Sequence, residues 1–359
     1  MKVSIGSRII DGPWGGGNLF VLNLKKYLIK NGHTVFHDLC HKDIDVILLT
    51  DPRSRKESSS TFNHLDIIKY KKFVNPNVTV IQRINECDER KGTDFINEFY
   101  LQASECADHV IFVSNWLKDI YTNIGMSPNK TSVIMSGADE EIFNKHDIAK
   151  YNTEKIKFVT HHWSAHSNKG FDIYKEFDDL LSESKYQNLE FSYIGNVPTE
   201  VSFVNTKVIE PLSGIALANE IKKNNIYLTA SINEPSGNHH IEAAQCGLPI
   251  LYLDSGGIPE YCDGFGVSFK NDFKERLDEI INNYNVYKAK LDDYPFSAQL
   301  MCKEFLDKFI DVKTKKTFLN TDVNWFIMNA YLFQTNLQKM LRSITIKQYF
   351  KNFFKKIIK

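Results

Sequence analysis

The chain reads as an α/β protein of two successive units, each a parallel sheet flanked by helices. Three observations predict this. Short apolar runs alternate with helical patterns from end to end, which is how β-α-β units appear in sequence. The alternation restarts near residues 151–155, after the polar stretch NKHDIAKYNTEK. And 359 residues exceed what one hydrophobic core commonly serves. The units are assigned to residues 1–150 and 151–312, with 313–359 as a tail.

In chain order, KVSIGS reads as a buried strand and DGPWGGGN as a Gly-rich loop. Phe20, Leu24, Tyr27 and Leu28 recur at helical spacing, and Asn31-Gly32 stops that helix. DVILLTD, VTVIQRI, HVIFVS and TSVIMSG read as further strands. After the restart, KIKFVTHH is a strand, WSAHSNKG a loop and FDIYKEFDDLL an amphipathic helix. LEFSYIG, NIYLTAS and LPILYL are the next strands. Both units therefore read as Rossmann-like.

Hydrophobic residues make up 42% and charged residues 25%, an ordinary globular balance. Net charge is zero, which gives no sign of a nucleic-acid partner. The balance is uneven along the chain: residues 323–359 hold seven Lys or Arg and no acid. The six cysteines are scattered without a C-x-x-C, so a disulfide or zinc framework is not expected, and a reducing, cytoplasmic compartment is. The N-terminus lacks the apolar core of a signal peptide, and no run of about 18 apolar residues predicts a spanning helix.

The stretch NEPSGNHHIEAAQCGLPILYLDSGGIPE carries the most chemistry. Glu234 lies just past the strand NIYLTAS, where open α/β sheets bind ligands. Ser236-Gly237 starts a helix running to about Cys246. Its first turn, Asn238, His239 and His240, offers free backbone N–H groups and a positive dipole end, which favour a phosphate. Glu242 lies about one turn further in, and its carboxylate can accept two hydrogen bonds from a ribose diol. The loop DSGGIPE lets backbone amides approach a ligand closely. On spacing alone, acids that merely favour a helix dipole remain the alternative.

EPSGNHHIEAAQCGLPI…GGIPE resembles the E-x7-E motif of the retaining, family 4-like glycosyltransferases of the GT-B fold. FVSNWLKDIY with VIMSGADEEIF, NKGFDIY and GPWGGGN resemble other segments of that family, so the likeness extends over about residues 1–312. It implies a cleft between two Rossmann-like domains, acceptor on the first and nucleotide-sugar donor on the second. Glu234 would meet hydroxyls of the donor sugar and Glu242 the ribose. Amides near Gly237, Asn238 and His239 would face sugar and phosphates, and Lys169 would neutralise the diphosphate. Gly16 and Gly17 would let phosphate or acceptor come close, and Trp14 would stack on a sugar or pack. The resemblance also implies a nucleotide-diphosphate sugar, of UDP or GDP type, as co-substrate with no further cofactor, and a carbohydrate or lipid-linked glycan as acceptor, as in polysaccharide biosynthesis. It implies that the sugar keeps its anomeric configuration through an oxocarbenium-like transition state, and Glu234 is not assigned as nucleophile.

Two departures stand out. The family's usual arginine, five residues before the lysine, is Ser164 here, with Arg83, His162 and His166 as candidate replacements. The histidine usual after a first-domain strand is also missing. Gln82, Arg83, Asn85, Glu86 and Asp88 occupy that region, and Arg83 is expected in the cleft. These departures keep a catalytically silent scaffold open as an alternative. A NAD-dependent enzyme is a weaker one, because GPWGGGN is not G-x-G-x-x-G and only Asp38 follows. His161, His162, His166, His239 and His240 are not read as a metal site. In the tail, Lys347, Lys351, Lys355 and Lys359 recur every four residues opposite Ile346, Tyr349, Phe350, Phe353, Phe354, Ile357 and Ile358. Such a basic amphipathic helix suits an anionic membrane surface, so residues 343–359 predict a peripheral placement at the inner face of a membrane, with a partner protein or docking on the protein itself as the alternatives.

Overall fold

The computed structural model describes residues 1–10, 15–54, 58–319 and 323–343. The first sheet holds β1 (Lys2–Ile5), β2 (Thr34–Phe36), β3 (Val46–Leu49), β4 (Thr79–Ile84), β5 (His109–Phe112) and β6 (Thr131–Val133). Its order is β2-β1-β3-β4-β5-β6, parallel throughout. The second holds β7 (Ile156–His162), β8 (Leu189–Gly195), β9 (Lys207–Ile209), β10 (Ile226–Thr229), β11 (Ile250–Leu253) and β12 (Gly266–Phe269). Its order is β12-β11-β10-β7-β8-β9, again parallel. All six residues of β4 are buried, as expected for a central strand covered on both faces. The short edge strand β9 and the outer strand β12 carry no clear signal in the sequence.

Strand order reverses between β1 and β3 in one sheet and between β7 and β10 in the other. Crevices open at the carboxyl ends of strands at such points. Here the loops after β1 and β3 face those after β7 and β10, and one cleft of about 890 Å³ lies between the two sheets. Helix α1 (Gly16–Lys30) follows β1, α2 (His64–Phe73) follows β3, and α3 (Asn238–Gln245) follows β10.

Helix α4 (Ala298–Lys315) starts at Ser297, whose Oγ accepts the Leu300 amide at 3.1 Å. It crosses back to the first sheet, where Met301, Cys302, Phe305 and Phe309 join the core of Val3, Phe20, Leu24 and Ile81. Helix α5 (Trp325–Ser343) lays Met328, Tyr331 and Leu332 on the core beside α2. Its other residues leave Trp325 (64%), Phe326 (76%) and Phe333 (71%) exposed. No helix among the described residues is long and apolar enough to cross a membrane. The basic run 344–359 and Trp14 lie outside the described residues.

Candidate active site

The cleft gathers residues from both sheets. Gly16, Gly17, Arg83, Ser164, Lys169, Glu234, Gly237, Asn238, His239 and Glu242 all line it. Local structure explains the placement. The chain turns after β10 through Asn233, which holds φ at 51°, a conformation that asparagine tolerates better than most residues. Its Nδ2 donates to the Glu89 carbonyl at 3.0 Å, so this turn is held from the other half of the molecule. Glu234 follows. Gly237 takes φ 71° and opens α3 with no side-chain cap and no acid in the first turn. A Cβ there would sit 2.6 Å from the His240 ring, so only glycine fits. Helix α1 also starts without a side-chain cap or a first-turn acid. A Cβ on Gly16 would come within 2.7 Å of the Asn238 side chain. Two helix N-termini with open amides therefore meet in the cleft, a setting that favours anions.

Glu234 is buried at 7% exposure. Its Oε2 accepts from Lys169 Nζ at 2.7 Å, and its Oε1 lies 3.1 Å from Arg90 Nε. Burial alone would raise its pKa. Lys169 first and Arg90 second outweigh that and hold the carboxyl well below the usual carboxylate range. Glu242 is buried one turn into α3, and its Oε2 lies 3.0 Å from His161 Nε2. His161 Nδ1 in turn lies 3.1 Å from the Tyr227 hydroxyl. His162 lies 2.7 Å from the Tyr174 hydroxyl, and His239 lies 2.8 Å from Thr229 Oγ1. Burial holds His162 and His239 well below the ordinary histidine pKa and brings His240 down to about 3, so these three rings are neutral at pH 7. Among the described residues, no group of three or more His, Cys, Asp or Glu is placed to hold a metal ion.

No protein-family model matches the sequence. The Saccharomyces cerevisiae phosphatidylinositol N-acetylglucosaminyltransferase GPI3 subunit is 29% identical over 169 residues, 43% of this chain and 37% of that protein. The match thus spans little more than a third of its curated relative. Among solved structures, Anabaena HepE in complex with UDP superposes with a TM-score of 0.64 at 14% identity, covering 86% of this chain and 99% of that one. Sucrose-phosphate synthase from Thermosynechococcus elongatus gives 0.63 at 13%, covering 88% and 100%. The chain has the GT-B fold.

Within this GT-B cleft several readings need correction. Gly256 and Gly257 pack on the Glu234 turn instead of facing a ligand: a Cβ on Gly256 would meet Glu234 N at 2.6 Å, and Gly257 N donates to the Glu234 carbonyl at 2.9 Å. Their loop positions Glu234 from behind. Asp88 also serves structure. Its carboxylate accepts the Ile96 and Asn97 amides at 2.8 and 2.9 Å and so shapes the loop. Gln82 turns away to the Tyr100 carbonyl at 3.3 Å. Glu86 pairs with Arg90 at 2.9 Å and Lys91 at 3.1 Å. His166 is exposed and does not line the cleft.

Sequence reasoning missed three residues. Arg90, on the short helix Asp88–Lys91, is the second cation on Glu234. Trp163 lines the cleft and is 47% exposed, and Leu212 and Ser213 line the same cleft. Glu260, the last residue of GGIPE, ties the second sheet's half to the first by accepting the Asn115 and Trp116 amides at 2.8 and 2.7 Å. The repeated mixed charge of NECDERKG was the available signal for Arg90, but it does not say which acid the arginine meets.

Proposed function

We propose that the chain is a glycosyltransferase that moves a sugar from a nucleotide-diphosphate donor, of UDP type, to a carbohydrate or lipid-linked acceptor with retention. One observation carries the reading: a carboxylate held ionised by two cations stands beside an uncapped helix N-terminus, with a second carboxylate one turn further along that helix. The UDP complex of HepE and the sugar-transferring activity in GPI3's name support it.

Each part then has a chemical task. Glu242 accepts hydrogen bonds from the ribose in exchange for His161. The amides of Asn238 and His239 receive phosphate oxygens, and Trp163 and Leu212 offer an apolar wall to the base. Glu234 stays a carboxylate and accepts hydrogen bonds from sugar hydroxyls. With both its oxygens engaged by cations, it is a poor nucleophile. Lys169 faces the leaving diphosphate, whose negative charge grows as the glycosidic bond breaks. A preplaced cation there lowers the transition state more than the ground state. Melting temperature against UDP, GDP, ADP, CDP and NAD tests the reading. A shift with UDP supports it. A shift with NAD alone, or with none of the five, removes it.

We further propose that the C-terminal segment docks on an anionic membrane surface, as a peripheral placement requires. Residues 343–359 themselves fall almost wholly outside the described part, but α5 supports the idea with its exposed Trp325, Phe326, Phe333, Leu337 and Met340. Clustered exposed apolar groups of this size mark interaction surfaces. The full chain should float with phosphatidylserine vesicles and a chain ending at residue 322 should not. Equal flotation of the two, or none, would sink the proposal.

A further inference from the structure

Arg83 differs from the other cations of the cleft. It sits near the carboxyl end of β4, is 5% exposed and lines the cleft. Its guanidinium lies 4.1 Å from the centre of the Phe20 ring. It has no hydrogen bond and no ion pair among the described residues. Lys169 and Arg90 are matched by Glu234, and Arg53 by Asp51 at 2.8 Å. The phenols nearest in charge effect, Tyr261 and Tyr100, are neutral and bonded elsewhere: Tyr261 to the Val113 carbonyl, and Tyr100 to Asp51 at 3.2 Å. Burial lowers the Arg83 pKa to about 10, which still leaves it charged at pH 7.

A buried guanidinium without a counter-charge is unfavourable. Its planar fork suits a carboxylate or phosphate. The donor's diphosphate is not the natural partner. The open amides of α3, Lys169 and Glu242 belong to the second sheet's half, whereas Arg83 comes from the first sheet and stacks on Phe20, which lies about one helical turn along α1 from Gly16. Arg8, in the loop after β1, adds a second cation on that wall with no acidic partner among the described residues.

We infer that Arg83 receives a second oxyanion, a carboxylate or phosphate carried by the transferred sugar or by the acceptor, in addition to the donor's diphosphate. The inference rests on the glycosyl-transfer reading above. The probe is inorganic phosphate added to protein saturated with UDP, read as melting temperature. Phosphate should raise the wild type by several degrees and leave Arg83→Met unmoved, while UDP affinity stays within about threefold. Without ligand, Arg83→Met should melt no lower than wild type, since a buried charge with no counter-charge among the described residues is gone. Should that variant not fold, Arg83→Lys is measured instead, and it should show a smaller phosphate shift at unchanged UDP affinity.

Titration of UDP-glucuronate and UDP-glucose separates the two sources. A wild-type preference of tenfold or more for the glucuronate, lost in the variant, places the anion on the transferred sugar. Equal affinities, with phosphate still binding beside UDP-glucose, place it on the acceptor. The inference is overturned if phosphate shifts both proteins alike, if saturating UDP abolishes the shift, or if Arg83→Met weakens UDP tenfold or more. The last two outcomes would assign Arg83 to the donor diphosphate. Failure of every nucleoside diphosphate to bind is a separate result, which removes the transfer reading and this inference with it.

Discussion

Replacing Lys169 with methionine is expected to cut sugar transfer by roughly 10²–10³-fold while the chain still folds, the usual scale for losing one preplaced donor to a developing charge. The ammonium is buried at 7% exposure and 2.7 Å from Glu234, so its removal leaves that carboxylate with Arg90 alone. Breaking a buried pair costs about 3 kcal/mol, and the surviving arginine contact reduces that loss. Stability against pH supplies an independent readout. The folded pKa of Glu234 is depressed, so its contribution is complete above the ordinary glutamate value near 4.5 and is lost as pH falls through the folded value. Without Lys169 the depression shrinks. The unfolded chains are alike in this respect, so the stability gap between wild type and variant should stay constant while Glu234 is ionised in both folded proteins. It should close as pH falls through the variant's folded value toward that of the wild type. Denaturant melts followed from pH 7 down to about pH 2 check this, and a gap that stays constant over the whole range would show that Lys169 acts through packing instead of charge.

Glu242→Ala is expected to weaken UDP by about 2–3 kcal/mol, roughly 30–150-fold, the scale of hydrogen bonds to a charged group. Glu242 is desolvated and aligned by His161 at 3.0 Å, so a ribose would meet an ordered acceptor. At about 100 times its dissociation constant, UDP should stabilise wild type by about 2.7 kcal/mol. At that same concentration the variant should show a much smaller shift. Calorimetric titration measures the affinities directly. Unchanged affinity would move the nucleotide away from α3.

Much of this architecture was legible because the physics that sets it is local. Strands such as TVIQRI and IKFVTHH are covered on both faces and so read as apolar runs. The start of α3 at Gly237 was legible from the small residues before it, and Glu234 from its place after NIYLTAS. What stayed hidden depends on chain segments meeting in space. Nothing in NECDERKG says that Arg90 will reach an acid far along the chain, or that Asp88 will turn inward onto the amides of Ile96 and Asn97. The Gly256-Gly257 pair looked like a ligand loop because close approach of backbone requires glycine. The sequence does not say whether the approaching group is a substrate or, as here, the turn that carries Glu234.

The contact between Arg90 and Glu234 also constrains anyone who would rebuild the molecule. A designer seeking a new acceptor would exchange the first-sheet half for a foreign one and keep the donor half intact. That chimera would lose a group the donor half depends on, because the arginine travels with the discarded part. A workable graft therefore rebuilds the segment Glu86–Lys91 in the incoming half, where Asn233 and Asn168 of the retained half can still grip its carbonyls, at 3.0 Å in this protein.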